Sequence, residues 1–338
     1  MRPTRPASLL ALLLLVGCPS SSGPQRPQVV VYCALDRLYA QPVLERLGEE
    51  LGIEILPKFD GEATKTTGLV AAIRAEAGAP RADVFWNNEV SQTVALAADG
   101  LLQPYASPSA EGLPAHARDP NHLWTGFAAR ARVLIVNTDL VPEAETPRSL
   151  AALSDPRWAG RCGIAKPLFG TTATQVAALQ ARDPAACRAW LESLRANQVV
   201  VCAGNADVKD RVAQGELCFG LTDTDDANLA LLAGAPVRVV FPDQGPDESG
   251  TLLIPNAVAL LKGAPHPEAA KRLIDAILTP ELEASLARSR SAQVPLRAHT
   301  ERPEWIPQDL RVTPVDWVAT GEAFAAANEQ VKTHLLGQ

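Results

Sequence analysis

The residues best suited to chemistry lie in the segment 220–228, GLTDTDDAN, which places three aspartates and two threonines close together. The preceding residues 217–221 are apolar and predict a buried strand, and residues 227–232 predict the start of a helix. The acidic segment should therefore lie at the carboxyl end of a strand, where open α/β sheets bind their ligands.

Helix capping explains part of this segment, because Asp and Thr are preferred at helix N-termini and acidic groups interact well with the helix dipole. Three close carboxylates exceed the needs of a cap, and they repel each other unless a cation or a donor group meets them. We therefore expect ligand contacts from Thr224, Asp225 or Asp226, and Asp223, Asp225 and Asp226 are the candidate metal ligands. An EF-hand loop is excluded, because the sixth position from Asp223 is Asn228 instead of glycine.

Polar residues also follow other predicted strands, each at the point where a helix should begin. Because the carboxyl ends of parallel strands meet at one edge of a sheet, these residues are candidates for the same ligand cleft. Residues 170–172, a glycine and two threonines, could hold an anion through free backbone N–H groups, although capping by Thr and Asn explains about half of these turns. The candidates are Asp36, Lys65, Thr66, Asn87, Asn88, Gly170, Thr171, Thr172, Asp223, Thr224 and Asp225.

Strands and helices alternate along the chain from residue 29, which is typical of an α/β protein with mainly parallel sheets flanked by helices. About 310 residues follow residue 28, more than one core usually needs. Two β-rich runs, residues 131–137 and 251–261, bracket the middle of the chain like hinge strands. We therefore predict two lobes, one from residues 28–127 plus 252–338 and the other from residues 128–251, with a ligand cleft between them.

The N-terminus resembles a bacterial lipoprotein signal. Two arginines precede a short apolar run that ends in LVGC at residues 15–18, and the run is too short to cross a bilayer. We expect residues 1–17 to be removed, Cys18 to carry a lipid, and residues 18–28 to form a flexible tether to the membrane. Loss of the two arginines changes the formal net charge from −7 to −9, and an acidic domain is a poor partner for nucleic acid.

The cysteines and histidines show no metal or catalytic spacing. An odd number of cysteines follows Cys18, so at least one is unpaired; Cys202 and Cys218 could form a disulfide, but buried free thiols fit equally well. The histidines fall in loop-like or terminal segments, and no nucleophile motif is present. A binding protein therefore fits better than an enzyme. The five later cysteines are Cys33, Cys162, Cys187, Cys202 and Cys218.

Four segments, VVVYCALDR, DGEATKTTGLV, RADVFWNNE and ARARVLIVNTDLV, together with the lipoprotein signal, resemble the periplasmic solute-binding components of ABC transporters. The most similar branch is the ferric-iron-binding one. The resemblance implies a type II periplasmic-binding-protein fold, hinge closure on the ligand, and a monomer that serves an ABC permease and ATPase from the periplasmic face or the outer cell surface.

The chain departs from the iron-binding pattern at its ligand positions. That branch has two adjacent tyrosines where this chain has Thr224 and Asp225, a histidine near Asp36, and a glutamate near Asn88, which Glu89 follows here. The resemblance places a synergistic anion at residues 170–172, and this element is retained.

Three functional hypotheses follow. The first is a receptor for iron(III) import that holds the metal with a synergistic anion, and no resident cofactor is expected. The second is a receptor for a phosphonate, a phosphate ester or another anionic or zwitterionic solute. The third, from a different class, is a metal-dependent hydrolase that uses the aspartates of residues 223–226.

Overall fold

A computed structural model of the protein describes residues 26–60 and 66–338. Strands and helices alternate through most of this length, as the sequence predicts. The strands are β1 (Gln28–Cys33), β2 (Glu54–Phe59), β3 (Val84–Asn87), β4 (Leu102–Gln103), β5 (Thr125–Asn137), β6 (Cys162–Ala165), β7 (Val200–Cys202), β8 (Phe219–Asp223), β9 (Val237–Val240) and β10 (Leu253–Leu261). The α-helices are α1 (Arg37–Leu51), α2 (Thr67–Ala75), α3 (Ser91–Ala98), α4 (Gly170–Arg182), α5 (Pro184–Ala196), α6 (Asn205–Ala213), α7 (Thr224–Leu232), α8 (Pro267–Ile277), α9 (Pro280–Arg288) and α10 (Trp317–Gln330).

The strands form a hydrogen-bonded path in the order β2-β1-β3-β10-β5-β8-β6-β7, and β4 and β9 pair with β10 and β5. β1 pairs in parallel with β2 and β3, and β6 pairs in parallel with β7 and β8. β10 and β5 pair antiparallel with their neighbours. The path therefore consists of two largely parallel groups of strands that are joined through β10 and β5.

Strand β5 belongs to both groups and is buried over its whole length of 13 residues. Its first half, residues 125–131, pairs with β10, whereas residues 132–137 pair with β8 and β9. A strand buried on both faces is rich in apolar and β-branched residues, as VLIV at residues 133–136 is. The two arginines that precede this run are therefore carried into the interior.

The first half of β5 contains a bulge held by buried polar groups. Ala128 has a φ of +33°, an uncommon conformation for a residue with a side chain, and the register of β10 shifts between Pro255 and Asn256. The Glu283 carboxylate accepts the Ala128 N–H at 2.8 Å, and the Asn256 amide donates to the Ala128 carbonyl at 2.6 Å. These contacts fix the backbone of β5 within its pairing with β10.

The two β-rich runs that the sequence singles out as hinge strands are thus observed as β5 and β10. The boundary drawn at residues 127/128 falls inside β5, so the division into lobes stays a prediction. The sequence assigns α10 to the first lobe, and this assignment also stays a prediction. α10 packs against both α3 and α4, and Phe324 and Val331 join the core formed by α4, α5, β6 and β8.

The five cysteines within the described ranges are buried free thiols. Of the two alternatives open from the sequence, the structure shows no disulfide between Cys202 and Cys218. Burial raises the pKa of Cys162 to about 12 and that of Cys202 to about 11, so both thiols stay protonated and unreactive near neutral pH. Among the helices described, none combines the length and apolar character that a membrane span requires.

Candidate functional site

Two arginines of β5 lie at the centre of the predicted cleft. Arg130 and Arg132 are two residues apart and therefore project from the same face of the strand. Both side chains are almost fully buried, with exposures of 2% and 1%. A buried guanidinium requires a counter-charge, and both find one at the end of the neighbouring strand β8.

Arg132 makes a dense set of short contacts. Its Nη1 lies 2.6 Å from Asp223 Oδ1, and its Nε donates to Gln175 Oε1 at 3.0 Å. Further donations reach the hydroxyl of Thr172 at 3.0 Å, and that of Thr171 at 3.2 Å. Arg132 therefore joins β5 to β8 and to the first turns of α4.

Four side chains contact the Asp223 carboxylate. Besides Arg132 it meets Arg130 Nη1 at 3.3 Å, the Thr171 hydroxyl at 2.6 Å and Asn205 Nδ2 at 2.9 Å. Burial alone would raise the pKa of Asp223, but the two guanidinium groups and the Thr171 hydrogen bond outweigh it and hold that pKa below its usual value. Asp223 is thus an ionised carboxylate with its acceptor positions filled by the protein.

This environment corrects the role that the sequence suggests for Asp223. Although it stands at the N-cap position of α7, its side chain makes no capping hydrogen bond. Across the parts of the chain that the structure describes, no group of three or more His, Cys, Asp and Glu side chains is placed to hold a metal ion. Asp223, Asp225 and Asp226 therefore do not form a three-aspartate metal site, because Asp223 is turned inward to neutralise the two arginines.

Arg130 has longer and fewer contacts than Arg132. Its Nη1 lies 3.3 Å from Asp223 and 3.5 Å from Asp225, and its Nη2 donates to the Asn88 carbonyl at 2.5 Å. Burial disfavours its charge, but Asp223, Asp225, Asp36 and other nearby carboxylates raise the pKa of Arg130 further above its ordinary value. Arg130 stays charged and connects the end of β3 to the ends of β5 and β8.

A small cavity opens between Arg130 and the N-terminus of α4. Its volume is about 20 Å³, room for about one water. Phe169 precedes α4 and has no side chain that can cap it, and Gly170 takes a φ of +61°, a conformation that favours glycine. The cavity wall consists of Asn88, Arg130, Ala165, Phe169, Gly170, Thr171, Thr172, Gly204 and Asn205.

Two buried donors in this wall have no acceptor within the described structure. They are Asn88 Nδ2 and Arg130 Nε, and both residues are at least 98% buried. Buried polar groups are normally paired, so unpaired ones call for an explanation. Here both belong to a cavity beside an uncapped helix N-terminus. The arrangement is suited to a ligand that accepts hydrogen bonds and carries negative charge.

The turn after β3 brings together the residues predicted there. The Thr66 hydroxyl lies 3.4 Å from Asn87 Oδ1 and 3.2 Å from Asn88 Oδ1. Glu89, fully buried beside them, accepts the backbone N–H of Ser91 at 2.8 Å and so caps α3. Lys65, predicted with Thr66, lies outside the described residues, as does Cys18.

The β3–α3 turn also contacts α4, which follows β6 in the other group of strands. Glu89 Oε2 accepts the Thr174 hydroxyl of α4 at 2.7 Å. Together with the contact from Arg130 to the Asn88 carbonyl, this hydrogen bond holds the β3–α3 turn against the N-terminal turns of α4.

Acidic residues converge on the other side of Arg130. Burial, followed by the charges of Asp225, Asp226 and Asp36, raises the pKa of the Tyr39 hydroxyl far above its ordinary value. The start of α1 is therefore close to the start of α7. Thr224 is also at this place but faces inward, since its hydroxyl accepts the Ala131 N–H at 3.2 Å.

The structure thus brings the predicted strand ends together around residues that the sequence pattern did not indicate. Arg130, Arg132, Gln175 and Asn205 complete the network. The available signal was the ARAR sequence before VLIV, since charges inside a buried strand imply buried partners. Gln175 and Asn205 carried no comparable signal, because polar residues near helix starts are common.

A second, wider cavity of about 590 Å³ lies behind the site, between α4, α5 and the segments 243–252 and 313–319. Its walls are mainly apolar, and Gln175 separates it from Arg132. Several acids at its edge are already engaged; Asp183 caps α5 and Asp316 caps α10. This cavity lacks the convergent donors of the cleft site.

Known proteins with similar sequences are bacterial uptake and binding proteins. Iron uptake protein A1 of Synechocystis sp. is 28% identical over 253 residues, which cover 71% of this chain and 68% of that protein. The major ferric iron-binding protein of Neisseria meningitidis is 24% identical over 296 residues, covering 85% and 86%. A putative 2-aminoethylphosphonate-binding periplasmic protein of Salmonella typhi is 29% identical over 192 residues, 55% of each chain.

Solved structures share the fold. Apo ferric ion-binding protein A of Pasteurella haemolytica superposes with a TM-score of 0.81 at 21% identity, covering 92% of this chain and 98% of that one. Iron-bound HitA of Pseudomonas aeruginosa gives 0.80 at 24% identity, covering 90% and 99%. AfuA of Actinobacillus pleuropneumoniae, solved with fructose-6-phosphate, gives 0.77 at 21% identity, covering 92% and 98%. These likenesses concern the fold alone and confirm the predicted periplasmic-binding-protein fold.

The family model of the bacterial extracellular solute-binding proteins matches residues 81–319. The match is longer than half of the chain and contains β3, β5, α4 and α7, which carry the cleft site. It also confirms the resemblance inferred from the four sequence segments. The chain belongs to the bacterial extracellular solute-binding protein family.

Proposed function

We propose that this chain is the solute receptor of an ABC importer of the iron(III)-uptake type, and that it holds ferric ion together with an anion in the cleft beside Arg130. The observation that carries the proposal is the pair of buried, unpartnered donors, Asn88 Nδ2 and Arg130 Nε, at the uncapped N-terminus of α4. An anion there would accept from both donors and from the backbone N–H groups of Gly170 to Thr172.

The cation would lie on the acidic side of the same cleft. Asp36, Asp225 and Asp226 act together on Tyr39, and carboxylate oxygens are ligands of hard cations. The described residues hold no group of three His, Cys, Asp or Glu placed to bind a metal, so these acids would attract the ferric ion by their charge rather than replace the tyrosine pair of the iron-binding branch. Two of the relatives are named for iron uptake or ferric iron binding, which supports this ligand.

A specific observation also favours a second candidate, a phosphonate or phosphate ester. The guanidinium group of Arg130 lines the small cavity, and arginine is well suited to the oxygens of phosphate groups. The Salmonella typhi relative is named for 2-aminoethylphosphonate, whose amine would face the aspartates, and the identity extends over 55% of this chain. This candidate has less support than iron, since the relatives named for iron align over longer parts of the chain.

Direct binding measurements separate the two ligands. Chelator-stripped protein is titrated calorimetrically with ferric nitrilotriacetate in the presence of carbonate or phosphate, and separately with 2-aminoethylphosphonate and a hexose phosphate in EDTA. We expect stoichiometric iron and bound anion by mass spectrometry and metal analysis. Tight binding of a phosphonate or ester in EDTA, with no retention of iron, would establish the second candidate instead.

One variant tests the anion half of the site. Asn88→Leu removes a donor while keeping a similar volume, and we expect ligand affinity to fall by about tenfold or more, as for a lost hydrogen bond to a charged group. The matched control is Asn121→Leu, since Asn121 is exposed and remote from the cavity wall. Equal affinity in both variants would show that Asn88 does not contact the ligand.

The proposal extends to location and partners. The relatives include periplasmic binding proteins, and we propose that Cys18 carries a lipid that anchors the mature receptor to the membrane beside its permease and ATPase. We further propose that the solute is released unchanged. The hydrolase alternative would require turnover of a substrate, which we do not expect. Phosphoester cleavage by the purified protein with a divalent metal would reverse this conclusion.

A further inference from the structure

We propose that the wider cavity of about 590 Å³ is a second binding site, for a small ligand that combines an apolar body with a cationic group such as an ammonium. Asp243 is the residue that receives the cation. The site is separate from the proposed function, because it lies in a different cavity and its ligand is not the solute of the cleft.

The cavity has the size and the walls of a small-molecule site. Ligand sites in proteins commonly enclose about 300–1,000 Å³ and are mainly apolar, with a few polar groups that orient the ligand. Here the apolar part of the wall includes Leu150, Leu179, Trp190, Leu252 and Val315. Burial of an apolar body against these side chains would supply affinity.

One carboxylate of this wall is buried and lacks a cationic partner. Asp243 is 8% exposed, and its Oδ1 accepts the Ser149 hydroxyl at 2.5 Å and the Leu150 N–H at 3.1 Å. Both partners are neutral. Burial, more than any other factor, raises the pKa of Asp243, and the nearby charge of Glu248 also raises it. A buried carboxylate normally has a counter-charge, so this one is suited to a cation that a ligand brings.

The other ionisable residues of the wall make the cavity acidic. Asp183, Glu248 and Asp316 are exposed at its edge, and all three accept backbone N–H groups. Among the described lining residues, Arg182 is the one basic side chain, and it is also exposed. Four acidic groups and one basic group therefore surround the cavity, which favours a cationic ligand over an anionic one.

Two further arginines lie near the cavity without lining it. Arg148 pairs with Glu143 at 3.5 Å, and Arg311 donates to backbone carbonyls of the segment 245–248. Neither guanidinium forms an ion pair with Asp243 in the described structure. The protein therefore leaves the counter-charge of Asp243 to a ligand.

Three probes with the same phenylbutyl body and different head groups test the site in the unaltered protein. They are phenylbutylamine, phenylbutanol and phenylbutyrate, whose head groups are cationic, neutral and anionic near neutral pH. Calorimetry of the purified protein measures the affinity for each probe. We expect phenylbutylamine to bind at least about tenfold more tightly than phenylbutanol, and phenylbutyrate to bind most weakly. Equal affinities, or no binding of phenylbutylamine, would overturn the inference.

Asp243→Asn tests which residue receives the cation. Asparagine keeps the shape of the side chain, can still accept from Ser149, and tolerates the φ of +60° at this position. We expect phenylbutylamine to lose about tenfold or more in affinity, whereas phenylbutanol should bind as before. The matched control is Asp275→Asn, since Asp275 accepts the Ser107 hydroxyl at 2.6 Å but lies outside the wall. Equal effects of the two substitutions on phenylbutylamine would overturn the inference.

A cavity-filling variant locates the apolar body. Ala178→Phe enlarges a side chain of the wall on α4 and should abolish binding of both phenylbutylamine and phenylbutanol. The matched control is Ala189→Phe, since Ala189 is exposed on α5 and outside the wall, and both probes should still bind. Thermal unfolding verifies that both variants are folded. Undiminished binding in a folded Ala178→Phe would place the probes elsewhere, such as at the acids of the cleft, and would overturn the inference.

Discussion

At the residue scale, two arginines of the same strand have separate tasks. Arg132 is engaged on every side and holds β5, β8 and α4 together. Arg130 keeps one nitrogen without a protein acceptor in the described structure and faces the small cavity. Such a division is expected where one charge stabilises the interior and its neighbour binds a ligand, because a buried charge without a partner is costly.

Arg132 should therefore matter more for stability than its position near a ligand site suggests. We expect Arg132→Gln to lower the free energy of unfolding by about 3–5 kcal/mol, the usual cost of breaking a buried ion pair from one side. Urea denaturation measures this change. The control is Arg157→Gln, whose ion pair with Asp155 is at the surface and should contribute little. Similar losses in both variants would contradict the structural role of Arg132.

At the element scale, the site depends on where helices begin. α3 starts beside Glu89, which caps it, and α4 starts after Phe169, which cannot. The capped and the uncapped N-termini are linked by the hydrogen bond from Thr174 to Glu89. The free N–H groups of α4 are thus held next to the β3–α3 turn, which contributes Asn88 to the same cavity.

A single substitution removes the hydrogen bond that links the N-terminal turns of α3 and α4. Thr174→Val deletes the hydroxyl that Glu89 accepts, and a buried hydrogen bond to a carboxylate typically contributes about 1.5–3 kcal/mol. We expect faster ligand release and a larger radius of gyration of the ligand-bound protein, measured by stopped-flow kinetics and small-angle scattering.

The control for this change is Thr320→Val in α10. Thr320 is equally buried, but its hydroxyl donates to the Asp316 carbonyl of its own helix. It should leave ligand release unchanged. Equal release rates in Thr174→Val and Thr320→Val would show that the contact between α3 and α4 does not hold the bound state.

At the scale of the whole molecule, β5 and β10 carry the chain between two groups of strands. The bulge at Ala128 lies within the half of β5 that pairs with β10, shortly before the half that carries Arg132. Glu283, paired with Arg297 at 2.8 Å, holds the Ala128 N–H. Two-lobe binding proteins close by small dihedral changes in the strands that connect their lobes, so dihedral changes in β5 and β10 would move the two groups of strands relative to each other.

Anchoring of the whole molecule is predicted from the sequence. If Cys18 carries the lipid, Cys18→Ala should move the protein from the membrane fraction to the soluble fraction or leave an unprocessed precursor. Cell fractionation with immunoblotting measures this, and Cys33→Ala serves as the control because Cys33 is buried in the folded domain. An unchanged distribution of Cys18→Ala would exclude lipid attachment at that residue.

The sequence by itself was sufficient to predict the fold class and the place of the cleft. Apolar periodicity and strand-end polar residues are local signals, and the rule that parallel strands bind ligands at their carboxyl ends converts them into a common site. The position of Asn88, of Gly170 to Thr172 and of Asp225 near Arg130 agrees with that reasoning.

Only the tertiary structure decided which of these residues face the cavity and which face inward. Asp223 and Arg132 are 91 residues apart in sequence, and they meet because β8 pairs with the second half of β5. A run of aspartates shows that counter-charges are needed but not whether a ligand or the protein supplies them. Long-range strand pairing shows that the protein itself supplies the counter-charges of Asp223. Helix packing places α10 against both α3 and α4. Neither kind of contact leaves a local signal in the sequence.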